Sequence, residues 1–379
     1  MFVLNMVYTT LLQLLAAALA IAPVQAGHPA KAWKAGNIKT LVTFGDSYTD
    51  ENRLGFFIAN NGTAPPVGWD QPVVCITYSK LTHYTDDRQG LATASGGLSW
   101  ARYASIYSGA KLYNYAVSGA VCSNNITPRP LSPTLLFPDI EGYELPAFIA
   151  DSKYIDATTG LPFFTGAQNS TAYAIWIGTN DLGNNAFVDN SQRPNKTVSD
   201  YIDCVYNTVD GLYKNGGRYF VLLNLAPLDL LPQYQLPSQG GLAATQFWPA
   251  NGRNQTDVHY RMQNTVAALN DVYEYRTPFA AQVSKRYPGA HFANYNVNGL
   301  MTDIHLNPSQ YLNGTAPLNV TGTSKQCATV SGQNCTVNAS PDSFEWFDAL
   351  HPSEQTSRIV ARGFVDVLGG KGKWGTYWS

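Results

Sequence analysis

Leu41-Val42-Thr43-Phe44-Gly45-Asp46-Ser47-Tyr48-Thr49-Asp50 is the stretch on which the reading of this chain turns. A short apolar, β-branched run ends in Gly, then Asp-Ser, and helix-compatible residues follow. That is the pattern of a buried strand delivering a polar turn at its carboxyl end, where open α/β sheets place their ligands. A Ser at a helix N-terminus would hold its hydroxyl at the rim of such a cleft and point its N–H inward. Taken alone, Asp46-Ser47 reads as a helix cap.

Moving outward, residues 113–117, 173–177, 219–224 and 291–295 repeat the strand pattern. Helical patterns lie between them. Apolar residues at 198, 202, 205, 209 and 212 make one helix face, residues 258–287 form a longer helix, and 353–368 a third, with Pro352 at its start and Gly369-Gly370 at its stop. Alternating strands and helices predict an α/β fold whose mostly parallel sheet is covered on both faces. The segments 60–97, 123–166, 231–253 and 298–343 are rich in Pro, Gly, Asn and Ser and are expected to be long loop insertions. No linker separates two cores, so residues 27–379 are expected to form one catalytic domain.

Composition narrows the function. The 379 residues are 45% apolar and 13% charged, with 24 basic against 26 acidic side chains. That balance supplies no basic field for nucleic acid and argues against disorder. Residues 1–26 carry no charged side chain, and an apolar run at 11–22 precedes the small-x-small signal Val24-Gln25-Ala26. A secretory signal peptide and an extracellular protein are expected, since the run is too short to span a bilayer. No membrane association is expected, and a monomer is the default. Nine N-x-Ser/Thr sequons, at Asn61, Asn125, Asn169, Asn195, Asn254, Asn313, Asn319, Asn334 and Asn338, fit a glycosylated exterior. Five cysteines allow at most two internal bridges. Cys327 with Cys335, across a short Gly/Ser/Asn loop, is the preferred pair, and Cys75 with Cys122 the second expectation. Cys204, inside a helical pattern, reads as a buried thiol. The Cys and His spacings match no metal site.

Three further stretches carry chemistry. In Asp348-Ala349-Leu350-His351-Pro352, Asp and His three apart can share a turn, so that the carboxylate takes the imidazole Nδ1–H and leaves Nε2 as a base. His259 and His305, each with Asp two residues earlier (Asp257, Asp303), are the rival pairs. Gly178-Thr179-Asn180-Asp181 ends a predicted strand with an amide that could donate to an oxyanion. Ser118-Gly119 ends another and could present a bare N–H.

Together, G-D-S, Gly, G-x-N-D and D-x-x-H in this order resemble the SGNH (GDSL-type) hydrolase superfamily. The resemblance extends from Phe44 to His351 and implies a flavodoxin-like three-layer α/β/α fold. It also implies that Ser47 is the nucleophile, His351 the base and Asp348 its orienter, with Ser47, Gly119 and Asn180 as oxyanion donors and no cofactor. The first block reads G-D-S-Tyr where the family motif has G-D-S-Leu, a change that touches none of these roles. Residues 35–53, the aromatic insertions and the length are similar to fungal secreted acetylesterases of carbohydrate esterase family 16. That similarity implies acetylated hemicellulose oligosaccharides as substrate, whose sugar rings the abundant Tyr, Trp and Asn would suit. The insertions at residues 69–100 and 246–251 carry several of them. An α/β-hydrolase would need G-x-S-x-G, which is absent. A lipase acting on longer acyl chains is the runner-up, and a non-catalytic carbohydrate-binding protein the reading from another class.

Overall fold

A computed structural model describes residues 32–71, 93–249 and 252–379. The expected signal peptide and Cys75 lie outside the described residues. Six strands form the central sheet: β1 (Thr40–Gly45), β2 (Lys111–Asn114), β3 (Thr171–Trp176), β4 (Tyr219–Leu223), β5 (His291–Tyr295) and β10 (Gly375–Trp378). Their order is β10-β5-β4-β3-β1-β2, parallel except for β10, which runs antiparallel to β5. The fold is α/β with a mostly parallel sheet, as the strand–helix alternation predicts. Every residue of β1 and β3 is buried, which is why these central strands read as unbroken apolar runs.

The helices are α1 (Arg53–Ala59), α2 (Trp100–Ser108), α3 (Leu145–Asp151), the single turn α4 (Thr179–Leu182), α5 (Val198–Lys214), α6 (Gln255–Pro278), α7 (Val297–Leu306) and α8 (Glu354–Leu368). α2 and α8 pack on each other, whereas α5 packs on α3 and bonds to α6 through Tyr201 and Tyr273 (3.0 Å between hydroxyls). Right-handed crossovers in opposite directions from β1 place these two groups on opposite faces of the sheet. α8 starts where Ser353 Oγ accepts the Thr356 N–H (3.1 Å), and α5 where Thr197 and Asp200 form a capping box.

Several expectations need correction. The second strand begins at Lys111, earlier than the expected 113, because an edge strand with exposed Lys111 gives little apolar signal. Beyond Asn114 the chain still bonds to β1, with Tyr115 and Val117 N–H donating to the Thr43 and Gly45 carbonyls (2.9 and 3.0 Å). The expected helix 258–287 is α6 followed by a wider π-helical turn, Phe279–Val283, after Pro278. The insertions are also more structured than expected. Residues 123–166 contain α3, and 298–343 contain most of α7, strand β6 (Asn319–Thr323) and the hairpin β7 (Lys325–Cys327) and β8 (Cys335–Val337). Short elements of this kind are stabilised by packing, which a local pattern does not record.

The Cys327–Cys335 bridge forms as expected, closing the β7–β8 hairpin. Cys122, in contrast, pairs with Cys204 and not with Cys75. Cys204 is therefore no free thiol: its helix face turns inward onto the loop after β2, a proximity set by the fold across 82 residues. Closing a loop of that length contributes about 4–5 kcal/mol by the chain-entropy estimate. Cys204→Ser should thus lower the thermal midpoint by many degrees, measured by calorimetry. An unchanged midpoint would mean the bridge does not form in solution. Eight of the nine sequon asparagines are exposed, and Asn319 is half-buried with its Oδ1 taken by the Thr321 and Gly322 N–H groups.

Candidate active site

Strand order reverses at β1, which lies between β2 and β3, and the carboxyl ends of those three strands carry the residues singled out by sequence. Ser47 follows β1, Gly119 follows β2 and Asn180 follows β3. Contrary to expectation, Ser47 does not start a helix; it occupies a turn closed by Thr49 and Asp50 N–H bonds to the Asp46 carbonyl (both 2.9 Å), and α1 begins only at Arg53. Gly45 makes the tight approach possible, since a Cβ there would sit 2.1 Å from the Trp176 carbonyl oxygen of β3.

His351 arrives from the far end of the chain, in the loop after β9 (Phe344–Trp346) and before α8. The Ser47 hydroxyl donates to its Nε2 (2.8 Å), and its Nδ1–H donates to Asp348 Oδ1 (2.8 Å). The same carboxylate oxygen accepts the backbone N–H groups of Leu350 (2.9 Å) and His351 (3.0 Å). One oxygen with three donors fixes the loop and the imidazole tautomer together. The rival histidines go elsewhere. His259 is buried with Nδ1 facing the Tyr234 carbonyl (3.3 Å), and His305 pairs through Nδ1 with Glu345 (2.9 Å). Their sequence neighbours Asp257 and Asp303 pair with Arg261 and with Tyr311 and Lys373.

The N–H groups of Ser47 and Gly119 have no acceptor among the described residues. Gly119 has φ of +85°, and a Cβ there would lie 2.3 Å from the Phe137 ring. Gly119→Ala should therefore displace this N–H as well as strain the turn, lowering kcat about 10²-fold. Equal turnover in that variant would remove Gly119 from the oxyanion site. Asn180, nearly fully buried, donates one Nδ2 hydrogen to the Ala120 carbonyl (2.8 Å), which orients the amide and leaves the second hydrogen for a ligand.

Several supporting residues escaped the sequence reading. Buried Glu144 accepts the Gly45 (2.9 Å) and Val117 (3.2 Å) N–H groups and so clamps the ends of β1 and β2. Asp50 accepts from Ser118 (2.8 Å) and Arg53 (2.6 Å), joining the Gly119 loop to the start of α1. Its place three residues before a helix was a usable capping signal, whereas Glu144 had none. Tyr48 also corrects an expectation. Its phenol donates to the Leu350 carbonyl (2.8 Å) and its ring meets the His351 imidazole edge-on at 5.9 Å. The Tyr of G-D-S-Tyr therefore ties the Ser47 turn to the His351 loop. Tyr48→Phe leaves that buried carbonyl unpaired and should cost about 1–3 kcal/mol of stability, with a lower kcat. Wild-type stability and kcat together would refute the tie.

Burial raises the Asp46 carboxyl to about 6, Asp181 to about 7 and Glu345 to about 7, against the hydrogen bonds each accepts. Groups raised in the folded state favour folding fully below their unfolded values near 4, and that contribution is lost as pH rises through about 6–7. The thermal midpoint should thus be higher at pH 5 than at pH 8. The opposite order would show that these carboxyls are not raised in the folded protein.

Residues 41–364 match the family of GDSL-like lipases/acylhydrolases, so the chain belongs to that family. It is a carboxylic ester hydrolase. It is 37% identical over 347 residues to an acetylesterase of Hypocrea jecorina, covering 90% of this chain and 92% of that protein. To an acetylesterase of Thermothelomyces thermophilus it is 24% identical, over 88% of this chain and 89% of the relative. An acetylxylan esterase structure from Geobacillus stearothermophilus aligns at 14% identity and a TM-score of 0.37, over 89% of this chain and 96% of the other.

Proposed function

We propose that the protein is a secreted, glycosylated serine acetylesterase that removes acetyl groups from acetylated carbohydrates, with one catalytic domain over residues 27–379 after a leader at 1–26. The observation that carries the chemistry is the Ser47–His351–Asp348 chain of 2.8 Å hydrogen bonds at a strand-end cleft. Ser47 Oγ attacks the ester carbonyl as His351 Nε2 takes its proton, and the Asp348 carboxylate holds and stabilises the imidazolium. The Ser47 and Gly119 N–H groups and the Asn180 amide receive the developing oxyanion. His351 then protonates the leaving sugar alcohol, and water, deprotonated by the same imidazole, releases acetate from the acyl-serine. Activity requires the neutral imidazole and falls on acidification.

For the substrate, support comes from the acetylesterase similarity and from the surroundings of His351. Phe247, from the 231–253 insertion, packs edge-on against the imidazole at 5.1 Å, held by Asn184 Nδ2 donating to its carbonyl (3.0 Å). Beside Asp348 opens a groove of about 470 Å³ whose walls include Thr245, Gln246, Thr321, Thr323 and Gln326, hydroxyls and amides suited to neutral sugars. Trp100, by contrast, is core, packed edge-on against Trp176 and Phe364. Two bridged cysteine pairs support an oxidising, extracellular setting. Acetate release from acetylated xylo-oligosaccharides, together with rates on esters of increasing acyl length, tests the reading. Faster turnover of C8 or longer esters would assign a lipase instead.

A further inference from the structure

Arg129 belongs to none of the motifs. It lies in the loop between β2 and α3, where its N–H donates to Asn124 Oδ1 (2.9 Å) and its carbonyl accepts from Phe137 (2.9 Å). Its side chain turns inward. Nε is buried without an acceptor among the described residues, and the guanidinium rests on the Phe137 ring, 5.6 Å from its centroid. Arg53, by contrast, donates to the Asn114 carbonyl and Tyr143, and Arg102 forks onto Glu51, while Arg253, whose Nε is also unpaired among the described residues, donates through its other nitrogens to the Trp248 and Leu242 carbonyls. Burial lowers the Arg129 pKa, while electrostatic interaction with Tyr234, Asp46 and Asp181 opposes that shift.

Two of those neighbours flank candidate oxyanion donors in the chain. Asp46 precedes Ser47 and Asp181 follows Asn180. Phe137, which carries the guanidinium, is the side chain packed against Gly119. Two fully buried carboxyls thus adjoin the Ser47 and Asn180 donors in the chain, and their ionised forms would disfavour an oxyanion there. Asp46 Oδ1 accepts the Tyr48 N–H (3.0 Å). Asp181 accepts from Cys122 and Thr127, neither a cation. Arg129 is a fixed positive charge on the loop whose Thr127 bonds to Asp181 (3.2 Å) and whose Phe137 packs on Gly119, in surroundings whose low polarity extends its reach.

We propose that Arg129 is an electrostatic residue of the oxyanion site, whose inward-turned guanidinium offsets the Asp46 and Asp181 carboxylates and stabilises the tetrahedral anion without touching it. This rests on the serine-esterase reading above. The attraction matters only once the carbonyl oxygen carries charge, so its loss falls on kcat and not on KM.

The test compares Arg129→Gln and Arg129→Lys on p-nitrophenyl acetate, an uncharged ester, with thermal midpoints and inhibition by benzeneboronic acid, which forms an anionic tetrahedral adduct on a reactive serine. The Gln variant is expected to lose about 10- to 100-fold in kcat, less than loss of a direct donor, with KM within about twofold and boronate inhibition weakened in parallel. The Lys variant should recover most of that loss because it keeps the charge. Should the Gln variant unfold, Arg129→Met, which keeps the packing on Phe137, makes the same comparison. Wild-type kcat in the Gln variant, a Lys variant no better than Gln, or a loss confined to KM would overturn the proposal. An inactive Ser47→Ala with a fully active Arg129→Gln removes this inference alone, whereas an active Ser47→Ala removes the esterase reading with it.

Discussion

Ser47→Ala is expected to lower kcat on acetate esters by about 10⁶-fold, the scale seen when a serine nucleophile that works as a unit with its base is deleted. Only the Ser47 hydroxyl is lost, and its one hydrogen bond among the described residues is to His351. Removing it costs about 1 kcal/mol or less, so the thermal midpoint should stay within a few degrees of wild type. A fluorophosphonate probe should label the wild type at Ser47 and leave the variant unlabelled. Labelling of both proteins would move the nucleophile to another residue, and labelling of neither would favour a non-catalytic binding protein.

Asp348 has the second-largest expected effect, and here the isosteric and truncated variants separate two roles. Asp348→Ala should lower kcat about 10⁴-fold. It also strands the Leu350 and His351 N–H groups, which both donate to the lost oxygen, at a cost of about 2–4 kcal/mol. Asp348→Asn should behave differently. Two backbone N–H groups force its amide oxygen into the Oδ1 position, where it also accepts the imidazole Nδ1–H. The tautomer is kept and only the charge that steadies the imidazolium is lost, so the expected loss is about 10²-fold with near-native stability. Measured kcat and thermal midpoints for the pair decide it. A folded Asn variant as impaired as the Ala variant would show that the backbone donors do not control the tautomer.

Much of this site was legible because its parts are local. Strand-end Gly-Asp-Ser, Gly178-Thr179-Asn180-Asp181 and Asp348-Ala349-Leu350-His351 each combine a strand or helix signal with a polar residue at its end, and the order of the four blocks joins them. β1, β3, β4 and β5 were readable because strands buried on both faces are apolar throughout. β2 was shifted because it is an edge strand, and α3 and α7 were missed because short helices depend on packing. The Cys122–Cys204 bridge, the Glu144 clamp and the Arg129 charge were invisible for a common reason. Each is defined by partners distant in sequence: Cys122 bonds Cys204 across 82 positions, and Glu144 reaches Gly45 across 99.

By itself, the order of residues determined the reaction class, since chemistry needs particular side chains and their spacing places them at element ends. The sheet order decided that Ser47, Gly119 and Asn180 share one cleft, because β1 lies between β2 and β3 and the order of strand addition reverses there. Packing decided which histidine is used. His351 meets Ser47, while His259 and His305 turn to Tyr234 and Glu345. A hydrogen bond between residues 304 positions apart is a property of the folded core and of no local pattern.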